Sequence, residues 1–245
     1  MRIGVAGSGG DYEKAFSFCR KNGLSALEVA FTHGVRMSRD KAREIGKLAK
    51  EHGIRLSVHA PYYVNLASID EEKQVASVKR VLDSCDRAFY LGARCVVFHP
   101  GFYQKRSPEE VYPIIKRRIK ELMESVPEGV VLCPETTGKV SQFGTLKELL
   151  RLQEETGCGI CVDFAHMLAR DGSVDYASIL ERLSEPIHSH FSGIEYGQKG
   201  EIRHIPTEKE EARKLIEACR GYDVTIISEG PDPFGEAAMI RELVG

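Results

Sequence analysis

No stretch of this chain approaches the roughly 20 consecutive apolar residues that a bilayer-spanning helix requires. Neither sign of charge dominates: 34 Lys and Arg stand against 36 Asp and Glu, for a net charge of −2. The first absence leaves no candidate membrane anchor. The second removes the global positive field that coats nucleic acid, while allowing a local grip on DNA. Met1-Arg2-Ile3-Gly4-Val5 runs straight into an apolar segment and lacks the layout of a signal peptide, so a cytoplasmic location is expected. Seven cysteines is an odd number, and Cys95, Cys133 and Cys161 lie inside apolar runs. Reduced core thiols explain them better than a disulfide framework. Cys158-Gly159-Ile160-Cys161 has CxxC spacing, but in a strand side chains three residues apart point to opposite faces. No linker, low-complexity tract or internal repeat divides the 245 residues, and one domain over 1–245 is expected.

What is present is a construction used six times: an apolar run ending in a metal-capable side chain. The runs are Leu56-Ser57-Val58-His59, Cys95-Val96-Val97-Phe98-His99, Val130-Val131-Leu132-Cys133-Pro134-Glu135, Ile160-Cys161-Val162-Asp163, Ile187-His188-Ser189-His190 and Ile226-Ile227-Ser228-Glu229. Short apolar runs between longer helical patterns mark buried parallel strands. Ile3 to Ala6 and Ala26 to Ala30 add two more. Helices are expected through about Lys21, from Ser38 to about Glu51, from about Asp70 to Tyr90, from Ser107-Pro108-Glu109-Glu110 onward, and from about Phe234 to Leu243. Eight strands with intervening helices in a chain of this length predict an α/β fold, a single (β/α)8 TIM barrel. Successive strand ends are roughly 34 residues apart, close to the roughly 31 of the barrel norm. An open doubly wound sheet is disfavoured because Gly7-Ser8-Gly9-Gly10-Asp11-Tyr12 lacks the third glycine of a dinucleotide fingerprint.

In such a barrel the site forms just past the C-terminal ends of the strands. The six strand ends converge there, and His166, three residues after Asp163, joins them if that segment turns helical. His204 lies in a long loop after the seventh strand. Five histidines, two glutamates and one aspartate suit zinc, iron or manganese. Eight ligands exceed what one ion can use, so two or three are expected. Any one strand-end His or acid has a plain structural explanation; six in the same position do not. His33, His52 and His188 are expected to be structural or surface residues, with His188 on the strand face of His190 just beneath the site.

His59-Ala60-Pro61-Tyr62-Tyr63-Val64-Asn65-Leu66, Phe98-His99-Pro100-Gly101, Pro134-Glu135-Thr136-Thr137-Gly138, Val162-Asp163-Phe164-Ala165-His166 and His190-Phe191-Ser192 resemble endonuclease IV. That family consists of barrel-fold, zinc-dependent endonucleases acting at abasic sites in DNA, and the resemblance runs over nearly the whole chain. It implies that Glu135 bridges two zinc ions, with His59 and His99 completing the first and Asp163, His190 and Glu229 the second. His166 and His204 would hold a third. It further implies cleavage of duplex DNA by attack of a zinc-bound hydroxide, with Glu135 and Glu229 as the catalytic carboxylates. Tyr62, Asn65 and Arg36 would be DNA-binding residues. Lys139, Lys199 and Arg203 are further candidate phosphate contacts. A monomer is expected.

One departure stands out. The family pattern carries an aspartate two residues before the second third-zinc histidine, where this chain has Ile202. An isoleucine cannot coordinate, so the third ion would keep His166 and His204 alone unless Glu201 swings in, and manganese is an alternative metal. The rival reading is a xylose isomerase-like sugar isomerase or epimerase with one divalent ion at Glu135, Asp163, His190 and Glu229. Such an enzyme has no need of His59 and His99.

Overall fold

The computed structural model describes residues 1–245. Its strands are β1 (Arg2–Ala6), β2 (Ala26–Ala30), β3 (Arg55–His59), β4 (Cys95–Phe98), the two-residue β5 (Gly101–Phe102), β6 (Val131–Pro134), the two-residue β7 (Gln142–Phe143), β8 (Cys161–Asp163), β9 (Ile187–Phe191), β10 (Gly193–Gly197), β11 (Gly200–Ile205) and β12 (Val224–Ser228). Eight of them form one parallel sheet in the order β6-β4-β3-β2-β1-β12-β9-β8. A parallel bridge between Glu135 and Cys161 joins the two edges. The sheet is a TIM barrel, as the strand pattern predicts. Around it lie α1 (Tyr12–Lys21), α2 (Arg39–Glu51), α3 (Glu71–Leu91), α4 (Pro108–Met123), α5 (Leu146–Thr156), α6 (Phe164–Asp171), α7 (Tyr176–Leu180), α8 (Lys209–Ala218) and α9 (Pro233–Val244).

The helices begin where local chemistry tells them to. Ser107 and Glu110 form a reciprocal capping box at the start of α4, and Ser38 accepts from the Lys41 N–H at the start of α2. Each satisfies backbone donors that the first helical turn leaves without partners. The main core lies between strands and helices. It takes the outward-facing residues of each strand, such as Ile3 and Val5 of β1 and Val96 and Phe98 of β4. The inward-facing set differs. Val97, Cys133 and Cys161 make a small separate cluster inside the barrel. Gly4 faces Ala26 so closely that a Cβ there would sit 2.5 Å from the Ala26 carbonyl oxygen. These small inward side chains leave room within the barrel for large polar ones.

The cysteines are all unpaired thiols. Cys158 packs in the outer core and Cys161 inside the barrel, so the CxxC pair is split, although only Cys161 lies in a strand and Cys158 precedes it. Two short antiparallel pairs, β5–β7 and β10–β11, sit outside the barrel sheet. They were not anticipated from the sequence. The segment read as a long loop around His204 is the second of these hairpins.

Candidate metal centre

The strand ends deliver their side chains to one rim. His59 closes β3, Asp163 closes β8 and His190 lies near the end of β9, while His99, Glu135 and Glu229 follow β4, β6 and β12 directly. Asp163 then caps α6 by accepting from the His166 N–H at 2.7 Å, so the segment does turn helical and His166 joins the cluster. Ligand-capable atoms of His59, His99 and Glu135 lie within 4.8 Å of one another, as do those of Glu135, Asp163, His190 and Glu229. Glu135 belongs to both sets. Its Oε2 is 3.1 Å from His59 Nε2 and 3.0 Å from His99 Nε2, and its Oε1 is 3.1 Å from His190 Nδ1. It is fully buried, placed to bridge two ions.

The electrostatics are those of a cluster able to hold cations. Burial opposes ionisation of Glu135, but the charges of His99 and His190 and hydrogen bonds from His166 and His190 hold its carboxyl well below the usual range. Burial likewise disfavours a charged His59, yet the hydrogen bond and charge of Glu135, with Glu28 and Glu229 behind, carry it up to about 9. For His166, the charges of Asp163, Glu135 and Glu201 outweigh burial and raise it to about 10. Without an ion, protons therefore supply the positive charge that the carboxylates require. One carboxylate oxygen has that charge nearby but no hydrogen bond: Asp163 Oδ2 is buried without a hydrogen-bond partner, with His166 Nδ1 3.3 Å away. An unsatisfied buried carboxylate oxygen among imidazoles fits a divalent ion.

Several of the ring nitrogens facing away from the cluster are tied down, which fixes the nitrogen that faces it. His59 Nδ1 donates to the Ala60 carbonyl at 2.7 Å. His166 Nδ1 lies 3.0 Å from the Thr136 carbonyl and also 3.3 Å from Asp163 Oδ2 and 3.4 Å from Glu135 Oε1, leaving Nε2 toward Glu201. His204 Nδ1 is 2.7 Å from Ser192 Oγ. Thr136 also braces Asp163 through its Oγ1, which accepts from the Asp163 N–H at 2.8 Å.

At the third cluster the structure takes the alternative left open at Ile202, with Glu201 turned inward. His166, Glu201 and His204 bring ligand-capable atoms within 4.8 Å of one another, with Glu201 Oε2 3.7 Å from His166 Nε2. The reason is a β-bulge. In the β10–β11 pair Glu195 faces Arg203 and Tyr196 faces Glu201, so Ile202 has no partner. One extra residue shifts the alternation of side chains by one. Glu201, three residues before His204, thus takes the inward position that a regular strand gives to the residue two before. Ile202 points out and is 60% exposed.

The loop residues fall into different roles. Tyr62 is 56% exposed, its ring 5.8 Å from that of His59, and Tyr63 beside it is also exposed. Asn65 Oδ1 accepts from the Ala67 and Phe102 N–H groups, so this side chain braces the loop. Arg36 lies at a shallow rim hollow with Tyr12, His33 and Met37, and Arg203 pairs with Glu195 at 2.6 Å. His52 faces Glu13 on the outside of the barrel, and His188 lies under His190 as expected.

Glu201, which the sequence offered only as a substitute for the missing aspartate, thus joins the third set, and one residue escaped the sequence reading. It is Glu28, 1% exposed, with contacts to Ser57, His188 and His190. A lone carboxylate in the apolar run Ala26-Leu27-Glu28-Val29, sharing the face of Ala26, was the available signal.

Comparison with known proteins agrees with the fold. An uncharacterized protein of Methanocaldococcus jannaschii is 39% identical over 93% of this chain and 90% of its own length. A probable endonuclease 4 of Mycobacterium marinum is 26% identical over 84% of this chain and 85% of its own. Among solved structures, endonuclease IV from Thermus thermophilus superposes with a TM-score of 0.74 at 21% identity, covering 100% of this chain and 99% of that one. D-psicose 3-epimerase from Clostridium cellulolyticum does so with a TM-score of 0.70 at 15% identity, covering 100% and 96%. At these identities the structural likenesses speak for the fold alone. Residues 16–191 match the family described as xylose isomerase-like TIM barrel, and the chain belongs to that family.

Proposed function

We propose that this protein is a metal-dependent phosphodiester hydrolase of the endonuclease IV type, cleaving duplex DNA at abasic sites with two or three zinc ions. The observation that carries the reading is the pairing of His59 and His99 on Glu135 Oε2, at 3.1 and 3.0 Å. A one-ion isomerase needs the Glu135, Asp163, His190 and Glu229 set and has no use for a second set sharing Glu135. The third group of His166, Glu201 and His204 supports the same reading.

Zinc bound here would supply a water of lowered pKa as nucleophile and positive charge for the leaving oxygen. The chain's residues do the rest. Glu135 spans two sets, Glu229 stands at the rim with a part-exposed carboxylate 3.4 Å from His190 Nδ1, where it can hold the nucleophile's proton, and Asp163 offers a free oxygen. Tyr62, exposed beside His59, would stack against a base or fill the gap left by an extruded sugar. Arg36, Lys139 and Lys199 can contact flanking phosphates through local charge, since the net charge of −2 gives no general attraction.

The test is incubation of the zinc-loaded protein with duplex DNA carrying one abasic-site analogue, with an undamaged duplex as control. Strand scission confined to the lesion is expected. Absence of scission with zinc or manganese supplied, together with turnover of a ketose by protein holding one ion, would instead establish the epimerase reading, which the four-residue set also permits.

A further inference from the structure

The histidines of the cluster are backed unequally. The outer nitrogens of His59 and His204 rest on a backbone carbonyl and a hydroxyl, and His166 Nδ1 on a backbone carbonyl beside the cluster's own Asp163 and Glu135. His190 differs in having behind it a buried carboxylate that belongs to none of the proposed ligand sets: Glu28 Oε1 lies 2.9 Å from His190 Nε2. Both atoms are buried, and neither has any other hydrogen-bond partner. Glu28 is itself fixed through its other oxygen, which accepts from Ser57 Oγ at 2.8 Å and sits 2.9 Å from His188 Nε2. Register places the group one layer beneath the site. Cys161 and His188 are cross-strand neighbours, Asp163 and His190 are the next inward pair up, and Glu28 faces Ser57 across β2 and β3.

We propose that Glu28 is a positioning residue for the metal centre. By engaging Nε2–H it fixes His190 in the tautomer whose Nδ1 lone pair faces Glu135 and Glu229, and it raises the basicity of that nitrogen as a ligand. This rests on the metal-centre reading above and extends it to a residue that touches no ion. The alternative partners for His190 Nε2 are poor. Cys161 is a weak acceptor, and the rest of the inward layer nearby is Val97 and Cys133. His188 and Ser57 serve as anchors that stop the carboxylate from turning away.

The test is zinc affinity, measured by competition with a chelator of known strength, for wild type, Glu28→Gln and Glu28→Asp. Loss of a carboxylate behind a ligating histidine typically weakens metal binding by roughly 10- to 100-fold. Glu28→Gln is expected to show that loss for one ion, the one seated on His190, while an ion seated on His59 and His99 keeps its affinity. Glu28→Asp, which retains the charge, is expected to recover part of it. Melting of the metal-free proteins separates this role from general support of the fold: the metal-free Glu28→Gln melt should stay near wild type while the zinc-induced rise shrinks. If Glu28→Gln does not fold, His188→Gln releases one anchor and should give a smaller loss of the same kind. Unchanged affinity in folded Glu28→Gln, or in folded His188→Gln where Glu28→Gln does not fold, overturns the proposal, as does an equal loss at every site. A wild-type protein that binds no zinc would instead overturn the metal-centre reading itself.

Discussion

Loading the metal-free protein with zinc should release protons, because the buried carboxylates keep imidazoles charged until an ion takes their place. His59, raised to about 9, is neutral in only about one molecule in a hundred at pH 7, and His166, raised to about 10, in about one in a thousand. Each must give up a proton before it can ligate. The apparent affinity at pH 7 is therefore lower than its high-pH limit by about 10²-fold where His59 ligates and about 10³-fold where His166 does. Each displaced proton adds about tenfold per pH unit. Glu135 contributes nothing to this dependence, since its carboxyl is held well below the usual range and stays ionised. Two measurements check the reasoning. Chelator competition at pH 6, 7 and 8, corrected for the chelator's own protonation, should give about one decade per pH unit for the His59 site. A dye indicator in weak buffer should register at least two protons released per fully loaded chain. Affinity independent of pH, with less than one proton released, would mean that these histidines are neutral in the empty cluster, and the electrostatic account given for them would be wrong.

Three further outcomes follow from the same geometry. Glu201→Ala should remove the third ion, while Ile202→Asp should leave stoichiometry unchanged because residue 202 faces solvent at the bulge; plasma emission spectroscopy on dialysed protein reads both. Gly138→Ala, which removes no candidate ligand, would place a Cβ 2.7 Å from Glu201 Cβ and 3.0 Å from His166 Cδ2, and should lower third-site affinity as measured by competition. The metal-free protein should lose stability as pH rises. The folded pKa values of His59 and His166 lie above the unfolded value near 6.5, so their contribution is complete below about pH 6.5 and disappears through about 9 and about 10. Thermal melts from pH 6.5 to 10 should fall by about 2–4 °C for each kcal/mol lost, and zinc should abolish the trend.

The barrel and six of its site residues were legible because both signals are local. An apolar run of four or five residues forms a strand that is buried on both faces, and its last residue is carried to the rim by the strand itself. His166 was legible through its spacing from Asp163, since a carboxylate at a strand end can cap the helix that follows. What was left open or escaped depends on register, which local pattern does not encode. Glu201 enters the cluster only because one residue of β11 is left unpaired, a feature fixed by pairing with β10 at a distance in sequence. Glu28 lies in mid-strand, where its neighbours are set by which strands adjoin in the closed barrel. Asn65, a DNA-binding candidate by resemblance, also shows a role that local pattern does not reveal: its oxygen accepts from the backbone N–H groups of Ala67 in its own loop and Phe102 of β5.

Charge gives the sharpest distinction between one ion and several. Five carboxylates lie in or directly beneath the cluster: Glu28, Glu135, Asp163, Glu201 and Glu229. A single divalent ion in the Glu135, Asp163, His190 and Glu229 set offsets two of those charges. The rest would have to be met by protonated histidines, so His59 and His166 would stay charged and outside coordination. Three ions offset the carboxylates with every histidine neutral and ligating, and two ions need only one protonated ring or a polar contact at the rim. The two cases part as pH rises. With one ion, raising the pH from about 8 to 10 strips compensating protons from the histidines, leaves buried like charges facing one another and should destabilise the loaded protein. With two or three, the loaded protein should hold its melting temperature across the same range. A zinc-saturated protein that binds one ion per chain at pH 8 and melts progressively earlier up to pH 10 would refute the multi-ion centre, and with it the hydrolase reading.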